Sequence, residues 1–246
     1  MTFNGRAPER RTGSLRPADV TVIIPVINES DNLRDCLNSV KQAGATKIVV
    51  ADGGSTDGSR LLAAQLGAKV IESEAGRGLQ QHAGAIAADT ALLCFLHADS
   101  RLSSGALAVL CEHSNRHTDV YACFRQTIQA RGWKYRLLEW GNGCRVRWLR
   151  RPYGDQGICI SSALYQRIGG FAPVPLMEDV LLARRMKQEC IRPVLLPANI
   201  EVNARRWREN GVLRQTLQNW RLLRRLQRGE PPEKLAASYR RHDQMR

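Results

Sequence analysis

No apolar run in this sequence approaches the ~20 residues that a bilayer-spanning helix needs, so no segment is expected to cross a membrane. The N-terminus carries no apolar stretch of the kind that drives secretion, and no secretory signal is expected. The seven cysteines are odd in number and form no C-x-x-C pair and no zinc-ligand spacing. That pattern argues against a disulfide framework or a zinc site and for free, mostly buried thiols in a reducing compartment. Glycine-rich phosphate loops are missing too. Neither G-x-G-x-x-G opening a helix nor G-x-x-x-x-G-K-[ST] occurs, which argues against dinucleotide binding by that fingerprint and against a P-loop. Internal repeats and low-complexity tracts are absent. Acidic residues are scarce: 23 Asp and Glu face 37 Lys and Arg, for a net charge of +14. Such an excess implies an anionic partner, whether a nucleotide, a phosphorylated lipid, a membrane surface or nucleic acid.

What is present is enough for a substantial core. The chain has 246 residues and is 43% hydrophobic, which suits one large domain or two small ones. The cationic excess sits in two stretches. Residues 131–151, RGWKYRLLEWGNGCRVRWLRR, hold seven Arg or Lys and one Glu, and residues 204–228 hold eight Arg and one Glu. Trp and Leu interleave with the arginines in both, which makes two plain solvated faces a poor account. Residues 1–17 are polar and basic and read as a flexible lead.

Short apolar runs at 20–26 (VTVIIPV), 47–52 (KIVVAD), 68–73 (AKVIES) and 91–96 (ALLCFL) alternate with helical stretches at 31–43, 57–66 and 79–88. This alternation predicts an α/β fold, a parallel sheet with helices on both faces. Beyond residue 118 the pattern loosens. Residues 120–129 alternate like a strand of a mixed sheet, 157–162 read as a short strand, and ALYQRIGGF reads as a helix closed by glycine. A helix is expected over 178–189, with Glu178 and Asp179 in its first turn, extended chain over 192–202, a helix over 210–228 and another short one after Pro232.

In open α/β sheets ligands bind beyond the carboxyl ends of the strands. The four exits here read PVINES, ADGGSTDGS, SEAGRGLQQHAGA and HADS, each rich in polar, acidic or Gly residues. Singly, each has a plainer explanation. Gly53, Gly54 and Gly58 serve turns, Asp52 caps the turn that follows it, and Arg77 is a surface charge. Four such exits on one edge describe a nucleotide-sized pocket. Without a glycine-rich phosphate loop, a divalent ion on a carboxylate is the natural alternative for handling phosphates, and Asp99 stands where that carboxylate belongs.

VTVIIPVINESDNL, VVADGGSTDGS, the acidic motif after the fourth strand, GGF…MED and a late Arg-Arg-Trp together resemble the family-2 glycosyltransferases of the GT-A fold, from about Val20 to Trp207. The combination FLHAD…PYGDQG…PLMEDV…ARRW is similar to a bacterial subgroup labelled radical-SAM/selenodomain-associated glycosyltransferases. The resemblance implies a GT-A domain over 18–208, with a Rossmann-like, mixed but mostly parallel sheet, and a C-terminal amphipathic extension over 209–246. It implies that Pro25, Val26, Asn28 and Glu29 border the base and ribose, and that Asp52, beside Gly53, contacts the uracil or ribose. Arg77 then lies near the nucleotide, and Asp99 is the last acid of the D-x-D motif that holds Mn²⁺ or Mg²⁺ on the diphosphate. The first acid of that motif is His97 here, followed by Ala98, and both are expected along the nucleotide. Glu178 and Asp179 match the acidic pair whose aspartate is the general base. Arg205, Arg206 and Trp207 loosely match the acceptor-side Q-x-x-R-W motif. With the glutamine missing and no membrane span, processive polymerisation is not expected.

The implied reaction is a metal-dependent, inverting transfer of a sugar from a nucleotide-diphosphate donor, a UDP-sugar first, to an acceptor hydroxyl. The plainer reading of Glu178 and Asp179 is that acids favour a helix N-terminus. Asp155 and Gln156 of YGDQG offer directional bonds to sugar or acceptor hydroxyls, or else form a tight turn. Two rivals stand beside the transferase. A sugar-phosphate nucleotidyltransferase would carry a Gly-, Arg- and Lys-rich loop after its first strand, where PVINES stands here. A non-enzymatic module binding polyanions or membranes would explain the charge but not the strand exits. Nucleic acid is not an expected partner of the transferase. Leu213, Leu217, Trp220, Leu223 and Leu226 recur at helical spacing, a stripe that fits either core packing or a bilayer interface. With Trp133, Trp140 and Trp148, it suggests a peripheral enzyme on the cytoplasmic face of the membrane, acting on a lipid-linked or amphiphilic acceptor.

Overall fold

The structure, a computed structural model, describes residues 13–244, without the side chains of Arg206, Glu209, Asn210, Leu213 and residues 239–244. Most of the expected basic lead lies outside the described residues. Its last part, residues 13–17, runs against the molecule. Leu15 N donates to Asn115 Oδ1 at 2.7 Å, Asn115 Nδ2 donates to Ser14 Oγ at 2.8 Å, and the Leu15 side chain packs on the core.

The first half follows the alternation of the sequence. Strands β1 (Val20–Val26), β2 (Lys47–Asp52), β3 (Lys69–Glu72) and β4 (Leu92–Phe95) are parallel in the order β3-β2-β1-β4. Helices α1 (Ser30–Gln42), α2 (Ser59–Gln65) and α3 (Arg77–Ile86) connect them. The central strands are apolar throughout because both faces are covered. Val20, Val22, Ile24 and Val26 of β1 meet Leu33, Cys36, Leu37 and Val40 of α1 on one face, while Ile23 meets Ala85 of α3 and Phe95 on the other.

The second half makes the sheet mixed. It contains β5 (Ser100–Leu102), α4 (Ala106–Ser114), β6 (Tyr121–Ile128), α5 (Trp133–Leu149), β7 (Ile158–Ser161), α6 (Ser162–Arg167), α7 (Glu178–Gln188) and β8 (Val194–Val202). Helices α8 (Arg205–Asn210), α9 (Val212–Gln227) and α10 (Pro232–Gln244) follow. β7 runs antiparallel between β4 and β6, β8 lies parallel to β6 across a register break at Phe124/Arg125, and β5 closes the edge antiparallel to β8. The α/β architecture agrees with the expectation.

Helix α5, expected only as a basic aromatic stretch, is held by one face. Tyr135 and Leu138 pack with Trp207 of α8 on Ile128, Val202 and Ala204, and Val146 is buried. Glu139 Oε1 accepts the Ile128 N–H at 2.6 Å and lies 3.0 Å from Arg136 Nη2. The stripe expected on α9 divides. Leu226, with its neighbour Leu222, is buried against Leu176, Val180 and the α10 residues Leu235 and Ala236, whereas Leu217 and Trp220 are exposed.

Candidate active site

Two loops at the carboxyl edge of the sheet are bonded to each other. Asn28 takes a left-handed conformation (φ 53°), which asparagine tolerates better than most residues. Its N–H donates to Ser55 Oγ at 3.0 Å and its Oδ1 accepts the Thr56 N–H at 2.8 Å. The Glu29 N–H donates to Ser59 Oγ at 3.0 Å, and Ser30 N–H donates to Asp57 Oδ2 at 2.9 Å. Hydrogen bonds from Ser59 and Ser30 hold the Asp57 carboxyl well below the usual carboxylate range. Asp52 is buried, and its carboxylate accepts the N–H groups of Gly54 and Ser55 at 3.0 and 3.1 Å. The capping role is therefore what the side chain performs in this geometry. Gln80, buried beneath, donates to both Val26 O and Ala51 O at 2.8 Å and ties the ends of β1 and β2.

The next wall depends on close approach. At Gly78 an added Cβ would lie 2.3 Å from Ala172 O and 2.8 Å from Val174 O, so only glycine lets the first turn of α3 press against residues 172–178. That contact brings Arg77 Nε to 3.8 Å from Glu178 Oε1. Glu178 is fully buried, and neither carboxylate oxygen accepts a hydrogen bond from the described residues. Burial pushes its carboxyl up to about 7, against the pull of Arg77 and with a smaller push from Asp179.

Asp179 shares its surroundings with two other sequence elements. Gly154 N–H donates to Asp179 Oδ2 at 2.8 Å, and Val180 N–H donates to Oδ1 at 2.7 Å. Burial raises the Asp179 carboxyl above the ordinary aspartate range, opposed by the Gly154 hydrogen bond and by Arg77. A Cβ on Gly154 would meet His97 Nε2 at 2.6 Å and Asp179 Oδ2 at 3.6 Å. His97 from the β4 exit, Gly154 from the turn before β7 and Asp179 from the start of α7 thus converge.

Behind them stands a polar cluster built on α5. Arg145 donates to Gln156 Oε1 at 2.8 Å, to Asn142 Oδ1 at 2.9 Å and to Arg151 O at 3.0 Å, with its guanidinium 3.9 Å from the Tyr153 ring centroid. Gln126 donates to Asp155 Oδ2 at 2.8 Å and accepts from Asn142. Arg145 Nη2 is also 3.8 Å from Asp155 Oδ1.

The structure thus brings Arg77, His97, Glu178 and Asp179 together and treats the other expected residues differently. The side chains of Val26 and Ala98 point into the core, which leaves only their backbone for a ligand. Pro25 is half-buried, Asn28 is exposed, and Glu29 accepts from Asn32 Nδ2 at 2.9 Å. Gly53 N–H donates to Val26 O at 2.9 Å. Gln156 is fully buried, with its carbonyl accepting from Arg145 and its amide nitrogen without a hydrogen-bond partner among the described residues. Asp155 is partly exposed. Trp207 is partly buried and packs with Tyr135 and Leu138 of α5. Arg205 is exposed, and the Arg206 side chain lies outside the described residues. Sequence reasoning missed Arg145, Gln126, Asn142 and Gln80. Reading 131–151 as a helix would have set Asn142 and Arg145 opposite the tryptophans.

Asp99 is exposed at the β4 exit. No group of three or more His, Cys, Asp or Glu able to enclose an ion occurs among the described residues. One open carboxylate fits Mg²⁺ or Mn²⁺ that takes its other oxygens from a diphosphate and water, not a closed protein cage.

This arrangement has relatives. An uncharacterized glycosyltransferase of Mycobacterium tuberculosis is 32% identical over 117 residues, 47% of this chain and 53% of its own length. The glycosyltransferase AglJ of Haloferax volcanii is 38% identical over 63 residues, 25% of this chain and 21% of AglJ. The chain spans about half the length of the mycobacterial relative. In fold it is similar to S. aureus TarS 1–349, with a TM-score of 0.63 at 16% identity over 75% of this chain and 60% of that one. The complex of TarS 1–349 with UDP-GlcNAc gives 0.60 at 17% identity over 75% and 58%. The mixed sheet is therefore a GT-A fold. Residues 21–173, more than half of the sequence and the span that supplies Arg77, His97 and Gly154, match the profile of glycosyl transferase family 2, and the protein belongs to that family.

Proposed function

We propose that this chain moves a sugar from a nucleoside diphosphate donor to an acceptor hydroxyl in a single displacement that inverts the anomeric carbon. The observation that carries the reading is the meeting of Asp179 with His97, Gly154 and the Arg77–Glu178 pair at the sheet edge where α/β folds bind ligands. Asp179 is the general base. Its Oδ2 is fixed by Gly154 N–H, and burial raises its proton affinity toward that of a group able to take a hydroxyl proton. Arg77 sets a positive charge beside this carboxylate pair and meets the negative charge of the leaving diphosphate. A Mn²⁺ or Mg²⁺ ion on Asp99 would supply further neutralisation of that leaving group.

UDP-GlcNAc is bound by S. aureus TarS, so uridine diphosphate sugars are the first donors to screen. The acceptor is amphiphilic or lipid-linked, reached by a peripheral protein at the cytoplasmic face. No helix among the described residues is long and apolar enough to cross a membrane. The test is a panel of nucleotide sugars, with and without Mn²⁺ or Mg²⁺, read by protection from thermal unfolding and by donor hydrolysis. Metal-dependent protection by one nucleotide series supports the reading. Salt-sensitive binding of any polyanion, indifferent to metal and nucleotide, would replace it with a polyanion-binding module.

A further inference from the structure

Helix α5 turns its apolar residues outward. Trp133, Leu137, Trp140 and Trp148 are 71%, 56%, 62% and 72% exposed, and Cys144 completes the same face at helical spacing. At 3.6 residues per turn these five fall within one narrow stripe. The opposite face is already engaged, through Tyr135, Leu138, Asn142, Arg145 and Val146, so the stripe is not a core face waiting to fold inward. Monomeric proteins scatter exposed apolar groups singly, and a row of three indoles with a leucine marks a contact surface.

Charge selects the occupant. Lys134, Arg136 and Arg147 flank the stripe and are exposed, with Arg131 before it and Arg150 and Arg151 after it. The one acid in the segment, Glu139, is turned inward and bonded to the Ile128 N–H and Arg136. A second copy of this chain would set one such cationic patch against another. An anionic bilayer offers what both features need, phosphates for the cations and a headgroup layer in which indoles are favoured. We propose that α5 docks the protein on anionic phospholipid membranes, its Trp133–Trp140–Trp148 stripe in the headgroup region and its cations on lipid phosphates. On α9, the helix expected for this role, Leu226 is buried and Leu223 partly buried against Leu176, Val180 and α10, which leaves Leu217 and Trp220 as the exposed part of its described stripe.

The docking surface is joined to the candidate active site by short contacts. Arg145 on the inner face of α5 stacks on Tyr153, and the next residue, Gly154, bonds Asp179. The use of this surface, delivery of an amphiphilic acceptor, rests on the transferase reading, whereas the docking itself does not.

The experiment is co-sedimentation of the full chain with phosphatidylcholine vesicles, with and without phosphatidylglycerol, at physiological ionic strength, alongside tryptophan emission. Wild type is expected to sediment with the anionic vesicles and to shift its emission to the blue. Trp133→Ser/Trp140→Ser/Trp148→Ser is expected to lose both, and Trp220→Ser neither. Should the triple variant misfold, Lys134→Gln/Arg147→Gln, at two exposed positions, is expected to weaken binding about thirtyfold. Wild-type protein that stays in the supernatant with both vesicles overturns the proposal. So does unweakened binding in the charge variant, or a concentration-dependent dimer that disappears in the triple variant and leaves no vesicle binding to explain. No donor or acceptor enters this assay. Wild-type protein that hydrolyses a nucleotide-sugar donor but binds no vesicles refutes the docking alone, and wild-type protein that binds anionic vesicles but hydrolyses no donor refutes the transferase reading alone.

Discussion

Replacing Glu178 by Gln should flatten the pH dependence of stability. The carboxyl is fully buried, accepts no hydrogen bond from the described residues, and has its one paired cation, Arg77, at 3.8 Å. Its proton is consequently held to about pH 7, against an ordinary value of 4.5. The native state then binds a proton that the unfolded chain has released across that window, so stability falls as pH rises from about 4.5 to about 7 and levels off above. At about 1.4 kcal/mol per pH unit the full span is worth about 3 kcal/mol. Glutamine is neutral throughout and nearly isosteric, and it forfeits no hydrogen bond by losing an oxygen. Asp179 is also pushed up and adds a slope of the same sign, and because it also pushes the Glu178 carboxyl up, the difference between the two proteins reports Glu178 together with that linkage. Urea unfolding of wild type and Glu178→Gln, at several values between about pH 5 and about pH 8, measures that difference. The variant should gain on wild type by about 2 to 3 kcal/mol over that range, the pull of Arg77 being already contained in the value of about 7. Parallel curves would mean that Glu178 is ionised in the native state down to the ordinary range, and the account of the buried pair would fail.

The remaining predictions concern turnover. Asp179→Asn should lower transfer by a factor on the order of 10² or more while donor binding persists, and normal turnover in that variant would remove Asp179 as the base. Asp99→Asn should abolish the Mn²⁺- or Mg²⁺-dependent part of nucleotide-diphosphate affinity without altering thermal unfolding, read by titration with and without metal. Gly154→Ala leaves an allowed backbone but places a methyl 2.6 Å from His97 Nε2. It should depress turnover more than donor binding, and unchanged kinetics would show that His97 has room to move.

The parallel half of the fold was legible because strands covered on both faces must be apolar runs, and four such runs separated by helical stretches have few arrangements. The antiparallel half was not. β5 is three residues long and begins inside HADS, where no apolar run announces it. Helix α5 contains Gly141 and Gly143 and forms where Tyr135, Leu138 and Arg145 are gripped by other elements, a tertiary effect that propensity opposes. Within the site, Asp99 could be placed from the end of its strand, whereas Asp179 and Arg77 are singled out by the resemblance to the family motifs. The Gly154–Asp179 and Arg145–Gln156 bonds could not be placed, since each joins residues whose proximity is decided by chain elements between them. The α9 stripe illustrates the limit of periodicity, which locates an apolar face and is silent on what meets it.

The bonded pair of loops at Asn28–Ser30 and Ser55–Ser59 has a thermodynamic consequence. Loops that order on ligand binding forfeit conformational entropy at that moment, which shows as a large opposing entropy change and as association slowed by closure. Here backbone amides of one loop are already held by side chains of the other. A nucleotide entering this wall meets a finished surface. A ligand is accordingly expected to dock there without loop closure, and the amides of Asn28, Glu29, Ser30 and Thr56 are expected to exchange more slowly than open-loop amides before any ligand arrives.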